Sequence, residues 1–179
     1  MIRVAIAVAV IAGMAEPARA QDRPRVELAG GYQILNLQTF FPLGWFFEAA
    51  APVSNGLTLV GQLSGQYRSV SAPSPSGVVV PVEEHEKVHS FLAGARIVGR
   101  RDDGLTAFFH LLAGESRVGL PQIGGATNEF TLQAGGGFDF PLTSRWSGRM
   151  TADYVHLFTE GEPTHGVRVA VGWVVPLAR

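Results

Sequence analysis

The sequence predicts an all-β fold, an eight-stranded antiparallel up-and-down transmembrane β-barrel. Three observations carry that prediction. Apolar and polar residues alternate with period two in eight successive segments, 25–37, 44–53, 57–69, 88–99, 105–117, 128–142, 146–158 and 165–177. One face of these segments is mostly Gly, Ser, Thr, Ala and Gln with few charges, too small and too neutral for water but suited to the narrow lumen of a small barrel. Short connections (53–56, 100–104, 143–145) alternate with longer ones (38–43, 70–87, 118–127, 159–164), as in barrels that cross a membrane.

Composition points the same way. Charged residues make up 16% of the chain, against roughly 25% in soluble domains. Glycine accounts for 22 of 179 residues, well above the average of ~7%. With 14 basic and 15 acidic residues the formal net charge is −1, which excludes a nucleic-acid partner held by clustered positive charge. The chain has no cysteine, which excludes disulfide scaffolds, thiol nucleophiles, Cys-ligated zinc and a lipid-anchoring Cys.

The first twenty residues read as an address. Met1-Ile2-Arg3 is a short basic start, Val4 to Ala15 is apolar, and Ala18-Arg19-Ala20 is an A-x-A cleavage site. The apolar run is shorter than the ~20 residues that span a bilayer as a helix. A signal peptide over 1–20 and a barrel domain over 21–179 are therefore expected.

The first two segments carry Glu27 and Glu48 on the polar face and Tyr32 and Trp45 on the apolar face. Asn55-Gly56 then supplies a tight turn. In the third, Leu57, Leu59, Leu63 and Tyr67 oppose Thr58, Val60, Gln62, Ser64, Gln66 and Arg68. The Ser/Pro-rich stretch from Ser71 to Gly77 reads as a loop. The fourth segment carries Arg96 and the fifth His110, joined across the turn pair Asp103-Gly104. In the sixth, Phe130, Leu132, Ala134, Gly136 and Phe138 oppose Thr131, Gln133, Gly135, Gly137 and Asp139. Gly135-Gly136-Gly137 sits mid-strand and reads as close packing rather than a phosphate cradle. In the seventh, Trp146, Met150 and Tyr154 oppose Ser147, Arg149 and Asp153, and in the eighth Val167, Val169, Val171 and Trp173 oppose Arg168, Ala170 and Gly172.

The candidate sites follow from these faces. Glu27, Glu48, Asp139 and Asp153 meet Arg68, Arg96, Arg149 and Arg168 in the lumen, with His110 nearby. Charges in so confined a space must be paired, so a salt-bridged plug is expected, with Asp139 opposite Arg149 and Glu48 opposite Gln62. Tyr32, Trp45, Tyr67, Trp146, Tyr154 and Trp173 form the expected interfacial aromatic girdle.

The chain resembles the small OmpA/OmpX-like outer-membrane β-barrels of Gram-negative bacteria. The resemblance covers nearly all of 25–177 and rests on Ser90-Phe91-Leu92-Ala93-Gly94-Ala95-Arg96, Ala107 to Gly114, Gly135-Gly136-Gly137-Phe138-Asp139, and Arg149 with Asp153-Tyr154. It implies an outer-membrane location, contact with outer-membrane lipid and the barrel assembly machinery, a monomeric barrel, no cofactor, and a role in envelope integrity, adhesion or minor permeability. Such barrels usually end on an aromatic residue, whereas here Trp173 is the last aromatic before Pro176-Leu177-Ala178-Arg179.

Two other readings compete. His85-Glu86-Lys87-Val88-His89 matches H-E-x-x-H, in which two helical histidines hold zinc and the glutamate is the general base of a hydrolase. A helix would put Val88, Phe91, Leu92 and Ala95 on one face. In a strand, however, residues four apart stand ~13 Å apart, too far to share an ion bound at ~2.0–2.1 Å. The expectation is a loop at His85-Glu86, a strand starting near His89, and no metal site or catalysis. The third reading, a soluble lipocalin-like binder of small apolar ligands, requires the two faces to be reversed.

Overall fold

The computed structural model describes residues 26–54, 56–72, 82–102, 104–120, 125–159 and 163–177. The expected signal peptide lies outside the described residues. Eight strands follow one another: β1 (Glu27–Leu37), β2 (Thr39–Ser54), β3 (Leu57–Ala72), β4 (Val82–Asp102), β5 (Leu105–Leu120), β6 (Gly125–Pro141), β7 (Ser147–Phe158) and β8 (Thr164–Pro176). Each pairs antiparallel with the next, and β8 returns to β1 to close the barrel. Closure leaves no sheet edge, so every ladder N–H and C=O can find a partner without water.

One end of the barrel, the terminal end, carries Glu27, Pro176 and the β2–β3, β4–β5 and β6–β7 turns. The opposite, loop end carries the β1–β2, β3–β4, β5–β6 and β7–β8 connections. Two terminal-end turns contain Gly56 (φ 89°) and Gly104 (φ 86°), a backbone conformation that glycine adopts without steric cost.

The strands are longer and the loops shorter than the alternation suggests. Segment 38–43 is not a loop: Leu37 pairs directly with Thr39 around Gln38, which is left-handed at φ 53°. Phe40 turns outward and Phe41 inward, and after two consecutive exposed residues, Pro42 and Leu43, the alternation resumes with its parity switched. Pro42 disguises it. Proline cannot donate to a ladder and is confined to edges and bulges, and the β1–β2 register shifts between Gln33 and Leu35, opposite Pro42. Pro52 likewise sits at the β2–β3 register shift. The expected loops 70–87 and 118–127 contract because pairing continues to Ala72↔Val82 and Leu120↔Gly125. Backbone hydrogen bonds do not require an apolar face, so a ladder can outrun the hydrophobic pattern.

The alternating faces are inverted relative to a soluble barrel. Outward side chains are large and apolar, including Tyr32, Phe91, Phe109, Leu111 and Val171. About half of the buried side chains are polar or charged, and Arg96, Arg149, His110, Gln62 and Gln133 rank among the most deeply buried. This arrangement rules out the lipocalin-like reading, which needs the apolar face inside. An apolar cluster of Leu35, Leu37, Phe41, Val88, Val155 and Leu157 closes the interior near the loop end.

The glycine triplet has a packing role. Gly135 faces inward, where a Cβ would collide with the Asp153 carboxylate and the Ala152 carbonyl, and a Cβ on Gly137 would press the Phe108 ring at 3.0 Å. Gly135→Ala is therefore expected to overpack the lumen and destabilise the barrel by about 1–3 kcal/mol, read as a lower urea midpoint.

Candidate functional site: the lumen network

Two hydrogen-bonded groups fill the interior. The one nearer the terminal end centres on Glu48, which accepts from Arg96 Nη2 at 2.5 Å and from Arg149 Nη1. Arg149 also grips Asp139 with two parallel bonds, Nε to Oδ1 at 2.7 Å and Nη2 to Oδ2 at 2.8 Å. Glu27 lies 3.8 Å from Arg149. The Phe108 ring is shared by two guanidiniums, Arg96 at 4.4 Å and Arg149 at 4.9 Å from its centre, a contact that gains strength away from water.

The second group centres on Asp153. Its carboxylate meets His110 Nε2 at 2.8 Å and Arg168 Nη1, and it accepts from Gln133 Nε2 at 3.2 Å. Gln133 contacts Gln62 across the lumen at 3.3 Å. Arg168 donates to Gln33 and lies 5.1 Å over the Phe46 ring. A hydroxyl cluster adjoins this group, with Ser90 and Thr131 each 2.7 Å from Ser116.

Eight of the nine predicted lumen residues join these groups. Arg68 does not: it pairs with Glu86 at 3.4 Å, with 34% and 18% of the two side chains exposed. The reason is register, since Arg68 is opposite Glu86 close to the loop end, beyond most of the apolar cluster. Gln33, Gln133, Phe46 and Phe108 are not among the sequence candidates, and Gln62 enters there only as the residue opposite Glu48. Gln62 and Gln133 meet across the lumen from β3 and β6, Gln33 reaches Arg168 across the β8–β1 closure, and Phe46 and Phe108 lie against guanidiniums from other strands, pairings that sequence spacing does not signal.

The predicted aromatic girdle is only partly segregated by height. Trp146 and Trp173 lie toward the terminal end and Tyr67 toward the loop end, while Tyr32, Trp45 and Tyr154 are nearer mid-strand. Trp45 moves inward along its strand because β2 starts at Thr39. Trp45 Nε1 donates to the Tyr67 hydroxyl at 3.2 Å, and that hydroxyl is 3.1 Å from His89 Nε2. Phe130 and Phe158, 5.5 Å apart, add aromatic surface near the loop end that the sequence reading did not single out.

The H-E-x-x-H segment is wholly in β4, with His85 opposite Ser69, Glu86 opposite Arg68 and His89 opposite Gly65. The expected loop at His85-Glu86 and the start of the strand near His89 are thus corrected; pairing begins at Val82. The His85 side chain lies outside the described residues. The helix on which the motif's zinc geometry depends is replaced by a strand, and Glu86 turns to Arg68. Because that pair is partly exposed, Glu86→Gln is expected to cost less than about 1 kcal/mol, measured as a small shift in the urea midpoint.

A cavity lined by Leu35, Ser64, Gln66, Val88, Gln133 and Arg168, among others, has a volume of about 10 Å³, at or below what one water requires. A closed, eight-stranded, inside-out barrel with a salt-bridged interior and an apolar exterior defines the class: a small transmembrane β-barrel.

Solved structures agree with that class. The fold is similar to that of neisserial surface protein A (NspA), with a TM-score of 0.61 and 11% identity, covering 87% of this chain and 98% of that one. It is also similar to the N-terminal β-barrel domain of Pseudomonas aeruginosa OprF, with a TM-score of 0.57 and 11% identity, covering 86% and 99%. No protein-family model matches the sequence. No curated protein matches it either. At such identities the likeness establishes the fold, the closed eight-stranded barrel that the OmpA/OmpX-like resemblance implied.

Proposed function

We propose that the protein is a monomeric outer-membrane β-barrel with a structural or surface-interaction role and no catalytic activity. In this reading residues 1–20 are a removed signal peptide, the barrel assembly machinery inserts the chain, and the terminal end faces the periplasm. The observation that carries the reading is the inverted barrel: paired charges inside, and outside a belt that includes Tyr32 at 61% and Phe91 at 64% exposure. Such a surface is costly in water and favourable against hydrocarbon. Trp146 and Trp173 suit the periplasmic interface, and Tyr67 suits the outer one. The ion-paired side chains that occupy the lumen support a scaffold or surface role over a channel.

The test is cell fractionation with a gel run on unboiled and boiled samples. The protein should enter the outer-membrane fraction, and its mobility should change on boiling as the barrel unfolds. Recovery in the soluble fraction with mobility indifferent to boiling would overturn the reading. In planar bilayers the folded protein should show no sustained ion conductance.

A further inference from the structure

We propose that His156 and His165 form a two-imidazole binding site for a borderline divalent cation of the Zn²⁺, Ni²⁺ or Cu²⁺ class on the outer face of the barrel. The two residues are direct partners across β7 and β8, one pair below the final pair Leu157↔Thr164. Directly opposed residues of antiparallel strands have Cβ atoms ~4.5–5.5 Å apart. The rings are nearly parallel, at 12°, with centroids 6.5 Å apart. Two imidazoles that hold one ion at ~2.0–2.1 Å per nitrogen have ring centres roughly 5–6.5 Å apart, depending on the angle at the metal. The observed separation is at the long end of that range, so the two side chains must rotate toward each other to close on an ion.

The surroundings favour this use. His165 is exposed and His156 partly so. Among the described residues neither makes a hydrogen bond or ion pair, which leaves their ring nitrogens available. Tyr154 stacks on both, at 6.4 Å from His156 and 6.1 Å from His165. Phe158 meets His156 edge-on at 4.4 Å. These contacts hold the two rings side by side on one patch. Paired imidazoles suit Zn²⁺, Ni²⁺ and Cu²⁺, whereas Mg²⁺ and Ca²⁺ take oxygen ligands; water completes the coordination. The other histidines lack this geometry. His85 and His89 are four residues apart along one strand, and His110 is buried against Asp153.

The experiment titrates untagged, folded protein in detergent with Zn²⁺ by calorimetry. About one equivalent per barrel should bind. His156→Gln and His165→Gln should each weaken binding tenfold or more, while His89→Gln leaves it unchanged. Unchanged affinity in either of the first two variants, or loss of binding in His89→Gln, overturns the site. A second measurement needs no variant. Excess Zn²⁺ should protect His156 and His165 of the wild-type barrel, but not His89, from diethylpyrocarbonate, as read by mass spectrometry of the peptides. Equal modification with and without zinc overturns the proposal.

Discussion

Arg149→Ala is expected to destabilise the barrel by about 3–5 kcal/mol, the range for removing one partner from a buried ion pair. Arg149 is 1% exposed and contacts three carboxylates, Glu27, Glu48 and Asp139. Its removal leaves Arg96 as the sole guanidinium in that group and strips both of these hydrogen bonds from the Asp139 carboxylate. It also opens a void beside Phe108, against which the Arg149 guanidinium rests. Glu48, whose side chain is 3% exposed, is the carboxylate that water cannot readily reach once Arg149 is gone. Asp139→Asn should cost less, because the Asp139 side chain is 18% exposed and Arg149 keeps Glu48. Urea titrations of the folded protein in lipid vesicles, read by gel mobility, provide the comparison. Equal midpoints for Arg149→Ala and wild type would show that the network does not hold the barrel together.

Leu111→Arg is expected to cost about 2–4 kcal/mol in a bilayer, the penalty for a basic residue near the midplane of a lipid-facing strand. Leu111 points outward near the middle of β5, between Ala95 on β4 and Ala134 on β6, and is 50% exposed. Leu59 and Val171 face the same medium, and Arg at either should behave similarly. Depth provides the control. Glu115 and Arg117 are on the same face of β5, nearer the loop end, and already carry charge. Glu115→Arg should therefore cost only about 0–1 kcal/mol, as near an interface. Arg at Thr131 should act differently. That residue is buried in the lumen and bonded to Ser116, so a larger side chain there meets steric overlap rather than hydrocarbon. The vesicle unfolding assay separates these cases, and equal tolerance of Arg at Leu111 and Glu115 would contradict the placement of the hydrocarbon belt.

The aromatic and histidine residues show how far local pattern reaches. Parity and nearness to a turn, both local properties, locate Trp146 and Trp173. Trp45 reads from the sequence as near the start of its strand because Pro42 masks the true beginning of β2 at Thr39. The H-E-x-x-H motif drew attention to two histidines that extended geometry separates. His156 and His165, with no motif between them, are brought together by the β7–β8 register.

The amino-acid order alone determined the fold class, the number of strands and, within the alternating segments, the face on which a residue lies. Side-chain direction in a strand has period two, so a dozen residues suffice to read it, and an inward Arg149 or outward Val171 needs no knowledge of the other strands. Only the tertiary structure decided who meets whom across the lumen. Glu48 and Arg149 are 101 residues apart in sequence and touch because β8 closes on β1 and curls the sheet until opposite walls meet. It also decided where the strands end, since ladder hydrogen bonds continue past the hydrophobic pattern, and it assigned Arg68 to Glu86 instead of the central network. Contacts across a closed barrel depend on register and curvature together, and neither is encoded in the spacing of any single segment.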